Sequence, residues 1–266
     1  MIRLLSLSCL LLAFAGNCQA IENAPDALQL MQRSAATVKL RGARMNMVFE
    51  LRNASGNLRK REVETLIRTQ SDSGESSRRA LYLLPAEVRG LASLLIEHQG
   101  RDDELWVYLP AAKRLRRLLA DGKRDSFMGT VLSNADVLGH KPEDWHHNIV
   151  GEDEYEGHKC WRVVSLPRGD AVIQNSGYSR RESWIDQQTA FNWRMDTWDE
   201  QGQALKRIEN HRVQAISQQP GAFQAYEVSA QQLQDQASSR ILVQDFVFLP
   251  QLKAEAFAPN ALQQDE

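Results

Sequence analysis

The chain has 266 residues, 42% hydrophobic and 25% charged, with 34 acidic against 32 basic side chains and three cysteines. A net charge of −2 does not suit a general polyanion binder. Three cysteines do not make a disulfide scaffold, so the fold must rest on its apolar core.

Residues 1–20, MIRLLSLSCLLLAFAGNCQA, carry Arg3, an apolar run at 4–15 and a small or polar end at Ala20. This is the pattern of a secretory signal peptide cleaved after Ala20. At about 1.5 Å per residue the run is too short for a ~30 Å hydrocarbon core. Lipidation of Cys18 would tether the chain instead, but Asn17 stands where the processing peptidase needs a small residue. Removing this segment leaves Cys160 as the single thiol and residues 21–266 as one expected domain.

The segment 24–35 places Pro25 near its start and Leu28, Met31 and Ala35 along one side, which predicts an amphipathic helix. From residue 43 the period is two. Met45, Met47, Phe49 and Leu51 alternate with Asn46, Val48, Glu50 and Arg52, a strand with one greasy face. The turn at 53–57 returns the chain through LRKREVETLIRTQ, and a second turn at 71–75 leads into RRALYLLP.

The same alternation runs on through ELWVYLP, the basic KRLRRLLA, DWHHNIVGEDEY and HKCWRVVSLP, a loop of about ten residues, and then further strands to SRILVQDFVFL. Short helical turns are expected at 133–138, behind a Ser or Asn cap, and in the tail after residue 249. The sum is mainly β: a large curved antiparallel sheet of about eleven strands covered by a few short helices.

Catalytic signatures are missing. There is no G-x-S-x-G elbow, H-E-x-x-H, phosphate-cradling loop or C-x-x-C, so no enzyme, cofactor or metal is expected. Ser126 reads as a turn residue and Cys160 as a core residue. His146 and His147 are adjacent on an extended segment and so point to opposite faces, which suits a solvated patch better than a zinc site.

The ordered pieces PAEVRG at 85–90, LWVYLP at 105–110, DSFMG at 125–129 and SNAD at 133–136 are followed by GEDEYEGHKCWRV at 151–163, ESWIDQQTAF at 182–191 and WDEQGQALK at 198–206. As a set they resemble the outer-membrane lipoprotein-sorting proteins of the LolA/LolB-like superfamily. The resemblance implies a periplasmic half-open β-barrel with a helical lid, whose concave apolar face holds acyl chains of a lipid or lipoprotein and passes them between membrane partners. A membrane transporter or an outer-membrane acceptor is the implied partner, and the carrier is expected as a monomer.

Two departures stand out. Gly129 is followed here by Thr130, Val131 and Leu132 rather than the usual G-S-D, and Leu84 precedes Pro85 where the best-studied carriers have an arginine.

The side chains expected near such a cavity are Met45, Met47, Phe49, Leu51, Trp106, Tyr108, Phe127, Met128, Trp161 and Trp184. In ELWVYLP both parities are apolar, so periodicity leaves open which side faces inward. The basic set Arg114, Arg116, Arg117, Lys123 and Arg124 is either a solvated face or a rim for anionic headgroups or an acidic partner. Nucleic acid is excluded for it by the export signal and the neutral overall charge. The alternative function is a non-catalytic accessory subunit of an envelope or transporter complex, its interior filled with side chains.

Overall fold

The computed structural model describes residues 24–118 and 120–263; the expected signal segment and Cys18 lie outside the described residues. Helix α1 (Ala27–Ala36) starts where Asp26 Oδ1 accepts the Gln29 N–H at 2.8 Å, and it buries Leu30, Met31 and Ser34. The expected stripe is rotated by one position, so that Leu30 rather than Leu28 joins Met31.

Six strands follow as a meander: β1 (Ala43–Arg52), β2 (Leu58–Thr69), β3 (Ser76–Leu84), β4 (Ala92–Ile96), β5 (Glu104–Leu109) and β6 (Arg114–Leu118). The chain then crosses through α2 (Asn134–Leu138) to β7 (Trp145–Tyr155) and β8 (His158–Pro167), passes α3 (Asp170–Ser176), and continues as β9 (Arg180–Asp186), β10 (Asn192–Trp198), β11 (Ala204–Ala215), β12 (Phe223–Gln232) and β13 (Ser238–Phe248). All pairings are antiparallel, in the spatial order β6-β5-β4-β3-β2-β1-β13-β12-β11-β10-β9-β8-β7.

Among the described residues thirteen strands therefore form one open sheet, against the expected eleven or so. The loop expected at 168–177 contains α3, whose end is set by Gly177 in the left-handed region at φ 76°.

Two strands consecutive in sequence, β6 and β7, lie at opposite edges, so the chain between them must travel across a face of the sheet. Strands sit about 4.8 Å apart, so in a flat sheet β6 and β9 would be separated by about 50 Å. Instead the turn leaving β6 packs against α3, next to β9, and Arg124 Nη2 reaches Glu200 Oε1 at 2.7 Å. The sheet is strongly curved, and the crossing segment with α2 covers its concave face.

That face carries most of the core. Phe49, Val63, Tyr82, Leu95, Leu105, Ile208 and Ile241 from seven strands pack with Phe127 and Leu132 of the crossing segment. A second cluster joins Leu30 and Met31 of α1 to Trp161, Val163 and Ile185. The convex face is covered locally, where Leu94 and Tyr108 meet Phe257 and Leu262 of the C-terminal 3-10 turns at 254–257 and 259–263. Among the described residues no helix is long and apolar enough to cross a membrane.

Candidate functional site

The crossing segment is fixed to the sheet by hydrogen bonds that its sequence dictates. Met128 adopts the left-handed conformation at φ 53°, followed by Gly129 at φ 77°, and this reversal turns the Met128 carbonyl onto the sheet. There it accepts from Tyr82 Oη at 2.7 Å and Arg61 Nη1 at 2.5 Å. Ser126 Oγ donates to the Thr130 carbonyl at 2.6 Å, so this serine closes the turn, as its loop setting suggested. Ser133 and Asp136 then form a reciprocal capping box that starts α2.

Between these covers and the sheet lies a partly open cavity of about 670 Å³. Met45, Met47 and Phe49 of β1 line it together with Ile67 of β2, Met31 of α1, and Val137 and Leu138 of α2. Its volume falls within the roughly 300–1,000 Å³ common to small-molecule sites. Apolar side chains dominate the walls, and the methionines add thioethers that adapt to irregular chains.

Four of the ten expected cavity residues, Met45, Met47, Phe49 and Phe127, line this space. Leu51 and Met128 belong to the concave core beside it. Trp161 packs under α1, and the Trp184 ring carries the Arg194 guanidinium at 4.2 Å while its indole N–H donates to Asp153 Oδ2 at 2.9 Å.

Trp106 and Tyr108 lie on the convex face, where the C-terminal turns cover them. Leu105 therefore faces inward, which settles the parity of ELWVYLP: the doubly apolar strand is buried on both sides.

The basic set divides. Arg114, Arg116 and Arg117 stand exposed on edge strand β6. Lys123 is committed to Asp103 Oδ2 at 2.8 Å and Arg124 to Glu200, so both tie loops together. His147 is held between Ser165 Oγ at 2.7 Å and the Pro142 carbonyl at 2.9 Å, whereas His146 is exposed. Burial, reinforced by Asp186, pushes the buried Cys160 thiol up to about 12.

Polar groups at the cavity wall were not anticipated. Asp136, its side chain 2% exposed, accepts from Lys206 Nζ at 2.8 Å and from Tyr178 Oη at 2.8 and 3.0 Å, and lies 3.4 Å from His140 Nε2. Burial alone would raise the Asp136 carboxyl, but Lys206 and then His140 hold it below the usual carboxylate range. Burial, followed by the Arg181 charge, depresses His140 to about 4.

Two arginines also line the cavity, Arg78 of β3 and Arg181 of β9, and desolvation lowers each to about 10. The signal for both was available: RR at 78–79 and at 180–181 lies in strands, where neighbours alternate faces, so one arginine of each pair must point inward.

A family model whose description reads "uncharacterized protein" matches residues 74–264. No curated protein matches the chain by sequence. Among solved structures, an outer membrane lipoprotein-sorting protein domain from Vibrio parahaemolyticus superposes with a TM-score of 0.81 at 21% identity, covering 89% of this chain and 98% of that one. A DUF1329 family protein from Desulfovibrio piger gives 0.79 at 22% identity, covering 88% and 97%. A LolA superfamily protein from Nitrosomonas europaea gives 0.65 at 15%, covering 88% and 98%. These likenesses establish a LolA-like fold.

Proposed function

The chain belongs to the family matched over residues 74–264, and from its LolA-like fold and its cavity we propose a periplasmic carrier that encloses an acyl chain of a lipid or lipoprotein. The observation that carries this reading is the 670 Å³ space left between the apolar concave face and the segments covering it. Burying one CH₂ is worth about 0.8 kcal/mol, so a long acyl chain brings on the order of 10 kcal/mol before ordering costs. A cover that can move is then needed for release, and α1 and α2 are the candidates.

Transfer proceeds by differential affinity: a transporter or outer-membrane acceptor that binds the open form lowers the hold on the chain. Residues 21–266 act as one exported, non-catalytic monomer in this reading. The exposed Arg114, Arg116 and Arg117 on edge strand β6 supply the basic rim toward headgroups or an acidic partner. The accessory-subunit alternative requires a filled interior, and the cavity favours the carrier.

The test is mass spectrometry of organic extracts from protein purified out of a Gram-negative periplasm. Stoichiometric phospholipid, fatty acid or acylated peptide supports the carrier. Protein that is lipid-free and takes up no apolar probe after delipidation refutes it.

A further inference from the structure

The charges around the cavity are unequally satisfied. Lys39 pairs with Glu97 at 3.0 Å, Asp136 with Lys206 at 2.8 Å and Lys141 with Asp103 at 3.4 Å, while Glu143 accepts from Gln32 Nε2 at 2.6 Å. Arg78 and Arg181 are different. Neither side chain makes an ion pair or a hydrogen bond with any other described residue.

Arg181 is 3% exposed, and its Nε and Nη1 are buried without a hydrogen-bond acceptor. Its guanidinium lies over the Trp145 ring at 4.2 Å, and the nearby Asp136 is already engaged by Lys206, Tyr178 and His140. Arg78 comes from β3 with the inward parity of Ala80 and Tyr82. A buried guanidinium without an ion-pair or hydrogen-bond partner carries a desolvation penalty, which an arriving anion offsets. Arg181 is such a group, and Arg78 stands half-buried on the wall of the same space, so the missing partner is assigned to whatever fills it.

We infer that the cavity takes an anionic amphiphile, its acyl chain on the apolar wall and its carboxylate or phosphate group on the Arg181 and Arg78 guanidiniums. This rests on the carrier reading and narrows its cargo. Guanidinium is suited to both anions, because its planar fork can donate two hydrogen bonds to either.

Displacement of the fluorescent apolar probe N-phenyl-1-naphthylamine from delipidated protein tests it with four ligands: dodecanoate, methyl dodecanoate, dodecyl phosphate and dodecanol. At least one anion should displace the probe about tenfold more tightly than its uncharged counterpart, as expected for a charge-assisted hydrogen bond. The pair that discriminates identifies the head group as carboxylate or phosphate. In Arg181→Gln and Arg78→Gln that ratio should fall toward one while the uncharged ligand binds as before.

Equal binding of anion and neutral partner by the unmodified protein overturns the inference without needing any variant, and leaves the carrier reading intact. Unchanged discrimination in both folded variants overturns it too. Failure of all four ligands to displace the probe removes the carrier reading along with it.

Discussion

Lys206 Nζ lies 2.8 Å from Asp136 Oδ2, and this buried ion pair ties strand β11 to the first turn of α2, the helix over the cavity. Asp136 also accepts the Ser133 N–H at 2.9 Å, so one carboxylate both starts the helix and anchors it. Removing one member of such a pair leaves the other charge buried and uncompensated. Lys206→Met should therefore cost about 3–5 kcal/mol in urea unfolding. The double variant Lys206→Met with Asp136→Asn should recover most of that loss, whereas additive costs would show that the pair is not the anchor.

His140 makes stability depend on pH. It faces Asp136 at 3.4 Å on α2, Arg181 on β9 and Lys206 on β11, and its ring packs on Trp145 and Tyr178 at 5.7 Å each. Its folded pKa of about 4 lies below the ordinary 6.5, so the unfolded chain takes up the proton first. Stability should be fully present above about pH 6.5 and decline as pH falls toward 4, by on the order of 3 kcal/mol. Asp136, also depressed, extends the decline to lower pH. Thermal melts across this range should show the upper part of the decline in the native protein and lose it in His140→Gln.

Much of the sheet was legible because period-two alternation is local. Met45, Met47 and Phe49 could be placed on one face from their spacing alone, and they share the cavity. The parity of Trp106 was not legible, because what covers it, Phe257 and Leu262, lies some 150 residues away in the chain. Asp136 was readable as a helix-start residue but not as the partner of Lys206, since that pairing depends on how far the sheet curls. The inward arginines were legible in principle: alternation forces one of each RR pair toward the concave side, whatever the tertiary fold.

The SFMG turn makes its own prediction. Gly129 has φ 77°, and a Cβ there would meet Arg61 Nη1 at 2.9 Å, the same nitrogen that holds the Met128 carbonyl. Gly129→Ala should be destabilising by about 1–3 kcal/mol through strain and displacement of Arg61. Tyr82→Phe removes the second donor to that carbonyl and should cost about 1 kcal/mol. Chemical denaturation measures both, and a neutral Gly129→Ala would show that the turn relaxes freely.

Two substitutions on opposite faces of the sheet separate cavity from covered core. Met47 is half-buried and lines the cavity, so Met47→Trp adds volume to space that is already there. Apolar-probe affinity should drop at least about tenfold, since the ring replaces contacts the ligand would make, while the melting temperature stays close to that of the native protein. Trp106 lies on the convex side, half-buried near the C-terminal turns and with the Arg117 guanidinium 5.9 Å from its ring. Trp106→Ala should lower stability by about 2 kcal/mol and leave probe affinity as it was. The reverse pattern, with binding lost in Trp106→Ala and kept in Met47→Trp, would place the ligand on the other face and remove the basis for the carrier.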